Sequence, residues 1–280
     1  ESRSEEQLIA DAVAAAKNAD VVLFFGGLNK ASHQDCEDSD RYHLELPYAQ
    51  DKVIEALAEA NPNLAVVIIS GNAVAMPWVD KVNAIVEGWY SGSQMGHAIA
   101  DVLFGKVNPS GKLPFTFPVK LEDNGAHALN AYDPQDLTVE YKEDIYVGYR
   151  WFETFGQEKV LYPFGYGLSY TRFAYSDLQV EGDKVSCVVT NTGNVAGKEI
   201  VQLYISDDEC TLERPVKELE AFDRVTLKAG ETKKVTLEFP IEELAHWDNE
   251  TNQWVLEHGK IEILVGSASD DIRQTIQTEI

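Results

Sequence analysis

Apolar and polar positions in the N-terminal part of the chain follow two periods in turn. Leu8, Ile9, Ala12, Val13 and Ala16 recur at helical spacing behind Ser4 and Gln7, a capping-box start, and Asn18-Ala19-Asp20 ends that helix. Val21-Val22-Leu23-Phe24-Phe25 is then a continuous apolar run, broken at Gly26-Gly27, which predicts a buried strand central to a parallel sheet. Pro47 suits the first turn of a second helix, with Val53, Ile54, Leu57 and Ala58 as its apolar face and Asn61-Pro62 as its stop. Leu64 to Ile69 predicts another buried strand, Ala84 to Val86 a third, and Gly96 to Phe104 a third helix. Strands and helices in this cadence imply a layered α/β sandwich on a mainly parallel sheet with right-handed crossovers.

Beyond residue 119 the pattern changes. Lys120 to Asp136 has little periodicity and several turn formers, and reads as a surface connection. Val139 to Phe152 is dense in aromatics and charge. From Phe173 onward short runs alternate or stay apolar, predicting strands at Tyr175–Val180, Lys184–Asn191, Lys198–Ser206, Lys217–Val225, Glu231–Phe239, Gln253–Leu256 and Gly259–Gly266. Turn formers such as Gly182-Asp183, Thr192-Gly193-Asn194 and Ala229-Gly230 separate them, and the set indicates an all-β, immunoglobulin-like sandwich.

Composition narrows the functions available to such a chain. At 280 residues two domains are the natural expectation, and 44% hydrophobic residues supply a sizeable core. A formal charge of −24 argues against nucleic acid, whose phosphates want a basic face, and fits a neutral substrate such as a sugar. No run of about 18 apolar residues predicts a transmembrane helix, so no membrane partner is expected. No signal peptide is read at Glu1-Ser2-Arg3-Ser4, which leads straight into the first helix. The three cysteines, Cys36, Cys187 and Cys210, are too scattered for a disulfide framework or a zinc site and read as free thiols. The six histidines show no metal-ligand spacing, and neither metal nor cofactor is expected.

The chemistry concentrates after the first strand. Gly26-Gly27-Leu28-Asn29 leads into Asp35-Cys36-Glu37-Asp38-Ser39-Asp40-Arg41, and Leu46-Pro47 closes the loop. In open α/β sheets ligands collect outside the carboxyl ends of the strands, where this loop falls. Its four acids could equally be a solvated surface. The form Glu37-x-x-Asp40-Arg41, together with Glu87-Gly88-Trp89-Tyr90-Ser91-Gly92 and Asn108-Pro109-Ser110-Gly111-Lys112-Leu113-Pro114, resembles family 3 of the glycoside hydrolases. In that family's β-glucosidases a (β/α)8 barrel carries an aspartate nucleophile, and the following α/β sandwich domain lends the general acid/base glutamate from a loop of this form. Glu37 is the matching position. The family usually reads Glu-Gly-x-Asp-Arg, whereas Asp38 stands here for the glycine, and Gln94 stands where many members carry glutamate.

A retaining glycosidase needs two carboxyl groups about 5 Å apart, one attacking the anomeric carbon and one protonating the leaving oxygen and then activating water. The resemblance implies the second role for Glu37. Asp40, Arg41, Trp78, Trp89 and Tyr90 are candidate substrate contacts, the aromatics because pyranose C–H faces pack on rings, although each could equally be core. Tyr141, Glu143, Tyr146 and Arg150 could line the cleft or form an aromatic hinge. Asn108-Pro109-Ser110-Gly111 has a plain structural reading as a turn.

The resemblance implies an α/β sandwich domain over 1–120, an interdomain connection over 121–165 and a fibronectin type III-like domain over 166–280. A barrel needs about 250 residues and eight strand–helix repeats, and no such unit is present. The expectation is therefore the C-terminal portion of a retaining, exo-acting β-glucosidase that is inactive alone, with a β-glucoside or oligosaccharide and a (β/α)8 barrel domain as partners. A homodimer is left open, and a periplasmic or secreted location is expected of the full-length protein. The alternatives are a non-catalytic carbohydrate-binding or scaffold module, or the same part of a β-xylosidase.

Overall fold

The computed structural model describes residues 3–132, 138–207 and 209–280. Residues 133–136 of the expected surface connection lie outside the described residues. The chain separates into two compact units, one of Glu1–Phe104 with Phe117–Leu121, the other of Gly105–Thr116 with Glu122–Ile280.

The first unit runs α1 (Glu5–Ala16), β1 (Val22–Gly27), α2 (Gln50–Ala60), β2 (Leu64–Ile69), β3 (Ala84–Glu87), α3 (Met95–Leu103) and β4 (Phe117–Pro118). The capping box forms as read: Gln7 N–H donates to Ser4 Oγ and Ser4 N–H to the Gln7 amide oxygen. Buried Asn61, at the end of α2, donates to the carbonyls of Ala16 and Ala19, which ties the ends of both helices together. Strands β1, β2 and β3 pair in parallel in that order, with Val22 opposite Leu64 and Ala65 opposite Ala84.

Two expectations need correction. The apolar run at 21–25 is an edge strand: Val21, Leu23 and Phe25 are exposed, while Leu64, Val66, Val67 and Ile68 of β2 are fully buried. A continuous apolar run predicts that both faces are covered, yet the alternate residues Val21, Leu23 and Phe25 share a face left open among the described residues, and of the three strands β2 is the one with a neighbour on each side. Helix α2 starts at Gln50 and not at Pro47, because Tyr48 and Ala49 turn through the left-handed region at φ 60° and 57°. That detour lets the Gln50 amide grip the end of β1, accepting from Gly27 N–H at 2.7 Å and donating to Gly27 O at 2.9 Å. Gly27 itself stands at φ +136°, and a Cβ there would lie 2.0 Å from the Ile69 carbonyl oxygen, so only glycine lets the two strands end side by side.

The second unit contains α4 (Gly125–Ala128), α5 (Tyr149–Phe155), β5 (Val160–Tyr162) and then nine strands, β6 (Phe173–Glu181), β7 (Lys184–Asn191), β8 (Gly197–Ser206), β9 (Glu218–Leu227), β10 (Thr232–Glu238), β11 (His246–Asp248), β12 (Gln253–Val255), β13 (Lys260–Ala268) and β14 (Asp271–Glu279). They form an antiparallel three-stranded sheet, β10-β7-β6, a four-stranded sheet, β14-β13-β8-β9, and the hairpin β11-β12. Alternate residues of the strands, among them Val185, Cys187, Val189, Val201, Leu203 and Ile263, fill one core. Each fully buried aliphatic side chain contributes roughly 1.5–3 kcal/mol. Strands β11 and β14 are additions to the seven expected; β14 carries only Ile272 and Ile276 as apolar residues between its polar ones, too few to signal a strand. Helix α5, inside the aromatic 139–152 segment, buries Trp151 and Phe152, while Tyr141 is exposed. Tyr146 donates to Glu213, and Arg150 pairs with Glu218 at 3.2 Å. Asn108 acts as a strap within this unit, accepting from Ser169 Oγ and Tyr170 N–H and donating to the Ala196 carbonyl.

Candidate functional site

Three loops leave the carboxyl ends of β1, β2 and β3 on the same edge of the parallel sheet. Asp35 holds them together. Its carboxylate accepts from Gly71 N–H at 2.6 Å, the Asn72 amide at 2.9 Å and the Tyr90 hydroxyl at 2.8 Å, one partner pair from the loop after β2 and one from the loop after β3. Burial and the Asp35 bond push the Tyr90 hydroxyl pKa well above its ordinary value, so Tyr90 stays a donor. Arg41 fastens the far end of the acidic loop, donating to the carbonyls of Ala73 at 2.7 Å and Leu44 at 2.9 Å. Burial lowers its pKa, opposed by the nearby Asp35 charge. Between these anchors His33 stacks on Tyr42 with ring centroids 4.3 Å apart, and its Nδ1 lies 2.9 Å from the Asp40 carbonyl oxygen.

Glu37 sits at the crest of this braced loop with its side chain exposed, and among the described residues its carboxyl meets no hydrogen-bond partner. Asp38 beside it has φ +63°, the left-handed conformation natural to glycine. Aspartate tolerates that region better than most residues, so the backbone turn is kept where the usual glycine is absent. Asp40 is exposed on the same loop.

The aromatic candidates part company. Trp78 is fully buried and its indole N–H donates to Asp51 at 2.7 Å, which makes it core and removes it from contact with any ligand of this surface. Trp89 is half-buried, at φ +50°, with its ring edge-on to Phe117 at 6.2 Å. Tyr90 is half exposed beside Asp35. Of the six candidates, then, Glu37, Asp40, Arg41 and Tyr90 share the loop cluster, Trp89 flanks it, and Trp78 lies beneath.

Two carboxyl groups of the site escaped notice as individuals. Asp35 looked like one more acid of the loop, and nothing local distinguishes it; its three donors come from residues 36 to 55 positions away. Glu87 ends β3, where it accepts from Ser70 Oγ at 3.3 Å and Trp89 N–H at 3.0 Å. Burial outweighs both bonds and pushes its pKa up to about 7. A glutamate closing an apolar strand was the available signal. With three donors on its oxygens Asp35 is a brace and a poor nucleophile; among the described residues the loop's exposed carboxyl groups without a hydrogen-bond partner are those of Glu37 and its neighbour Asp38, and the family's loop form matches Glu37. No metal-ligating trio forms here; the one such group among the described residues, Cys210, His246 and Glu257, belongs to the second unit. Among the described residues no helix is long and apolar enough to cross a membrane.

Comparison with known proteins finds two family regions along the chain, the first of which runs beyond the first compact unit. Residues 2–170 match the glycosyl hydrolase family 3 C-terminal domain and residues 199–269 the fibronectin type III-like domain. Beta-glucosidase BoGH3A of Bacteroides ovatus is 50% identical over 98% of this chain, and thermostable beta-glucosidase B of Acetivibrio thermocellus 45% identical over 96%. The chain spans 38% and 36% of those relatives. Among solved structures, a beta-glucosidase from Kluyveromyces marxianus in complex with glucose superposes with a TM-score of 0.92 at 38% identity, covering 100% of this chain and 34% of that one. Beta-glucosidase 3B from Thermotoga neapolitana in complex with alpha-D-glucose gives 0.83 at 33% identity, covering 97% and 39%.

Proposed function

Since the chain belongs to glycosyl hydrolase family 3, we propose that it is the C-terminal portion of a retaining, exo-acting β-glucosidase and that Glu37 is the general acid/base of the reaction. The nucleophile and the sugar-holding pocket belong, on this reading, to a (β/α)8 barrel outside these residues. The observation that carries it is the free carboxyl of Glu37 on a loop braced by Asp35 and Arg41 at the carboxyl ends of the parallel strands. A braced loop suits acid catalysis, because a proton donor must be held within hydrogen-bond reach of the glycosidic oxygen while keeping its own oxygens unspent. Glu37 donates a proton to the leaving oxygen as the nucleophile attacks, then takes one from water as the glycosyl-enzyme is hydrolysed. In the bound state a barrel wall and the substrate would replace water around Glu37.

The leaving group tests this role. In the barrel-containing protein, Glu37→Gln should slow hydrolysis of poor leaving groups by roughly a hundredfold to ten-thousandfold and spare activated aryl glucosides far more. Equal loss on both substrates would remove Glu37 from the acid role.

A further inference from the structure

The sandwich unit brings together three side chains that no local motif connects. Cys210 lies in the loop after β8, His246 opens β11 and Glu257 follows β12. One donor atom from each lies within 4.8 Å of the other two. Spacing along the chain gave no hint of a metal site, because the ligands are 36 and 11 positions apart. We propose that Cys210, His246 and Glu257 form a binding site for a single transition-metal dication of borderline softness, zinc above all, with one coordination position left for water or another ligand.

Four observations carry the assignment. The donor set of thiolate, imidazole and carboxylate suits zinc and its neighbours, whereas calcium and magnesium want oxygen throughout. His246 Nε2 stands 3.8 Å from Glu257 Oε1, too long for a direct hydrogen bond and close to the edge of about 3.3–3.5 Å that two such ligands span in a tetrahedral zinc site. The ligands are already oriented by neighbours: Thr211 donates to Glu257 through both its N–H and its hydroxyl, and Arg214 Nε donates to Cys210 Sγ at 3.4 Å. Asp207 at 3.8 Å and Glu218 at 3.6 Å offset the Arg214 charge, so a cation beside it is tolerated. Lastly, the His246 side chain is only 17% exposed, so the ring that presents Nε2 to Glu257 is held in place by its surroundings. A small cavity lined by Asp207, Glu209, Cys210, Glu257 and His258 opens beside the trio and provides access.

The test is titration of the metal-stripped 280-residue chain with zinc against a chromophoric chelator, and separately with cobalt(II). One equivalent of zinc and a thiolate-to-cobalt charge-transfer band are expected. Cys210→Ser should abolish the band, His246→Gln should abolish stoichiometric uptake, and Cys36→Ser should leave both intact. Thr211→Val, which removes only the hydroxyl bond to Glu257, should weaken zinc binding by about tenfold to a hundredfold with the circular dichroism spectrum unchanged. No uptake by the unaltered chain, cobalt binding without a thiolate band, or uptake that persists undiminished in both ligand variants, as by the acidic surface at large, would each overturn the proposal. Should a ligand variant fail to fold, the cobalt spectrum of the unaltered chain and the Thr211 variant still decide.

Discussion

Asp38 shows how much one backbone angle asks of one side chain. At φ +63° glycine is unstrained, aspartate is tolerated and a β-branched residue is not. Asp38→Gly should therefore leave stability unchanged within about 0.5 kcal/mol, while Asp38→Val should lower it by about 1–2 kcal/mol. Urea unfolding of the three proteins checks this, and a tolerated valine would mean that the loop relaxes out of the left-handed region. Glu87 provides a pH test. Its folded-state pKa of about 7 stands above the ordinary 4.5, so the folded chain holds this proton more tightly than the unfolded one. That contribution is complete below about pH 4.5 and is lost as pH rises through 7, by on the order of 2 kcal/mol for a half-buried group. Glu87→Gln should flatten the fall in melting temperature between those limits; an unchanged slope would place the titration elsewhere.

Local pattern spoke well for individual strands and helices and poorly for their ends and neighbours. Helix α1 and strands β2 and β7 lie where periodicity and capping put them, since each carries an uninterrupted signal of its own. Strand β14 and the delayed start of α2 were not legible, the first because a sheet edge needs few apolar residues, the second because the Gln50–Gly27 bond is a long-range contact. Asn191 marks where one polar side chain secures a strand end. It is fully buried, donates to the carbonyls of Val195 and Leu227 and accepts from Thr171 Oγ1 and Gly193 N–H. Asn191→Ala strands those partners without water and should destabilise the sandwich by about 2–4 kcal/mol. Thermal unfolding followed through the sandwich aromatics measures it, and a loss under about 0.5 kcal/mol would show that the loop rearranges to satisfy them.

The chain spans little more than a third of its curated relatives, and its candidate acid is solvated on the free unit. The proposed reaction therefore predicts no hydrolysis of an aryl β-glucoside by this chain alone and recovery on mixing with a barrel domain from the same source. Turnover by the isolated chain would mean that a second carboxylate within these residues acts as nucleophile, and Asp35, committed to three donors, would have to give them up.

Residue order alone carried the two architectures and the family resemblance, because hydrophobic period and turn chemistry are local and the loop form around Glu37 is contiguous. It carried Glu37, Asp40 and Arg41 as neighbours for the same reason. Folding decided what depends on distant partners. It sent Trp78 into the core and Val22–Gly27 to the sheet edge, gave Asp35 its donors from two other loops, raised the pKa of Glu87 by burial, and drew Cys210, His246 and Glu257 to one point. Burial and convergence are properties of three-dimensional neighbours, and a sequence states neighbours only along the chain.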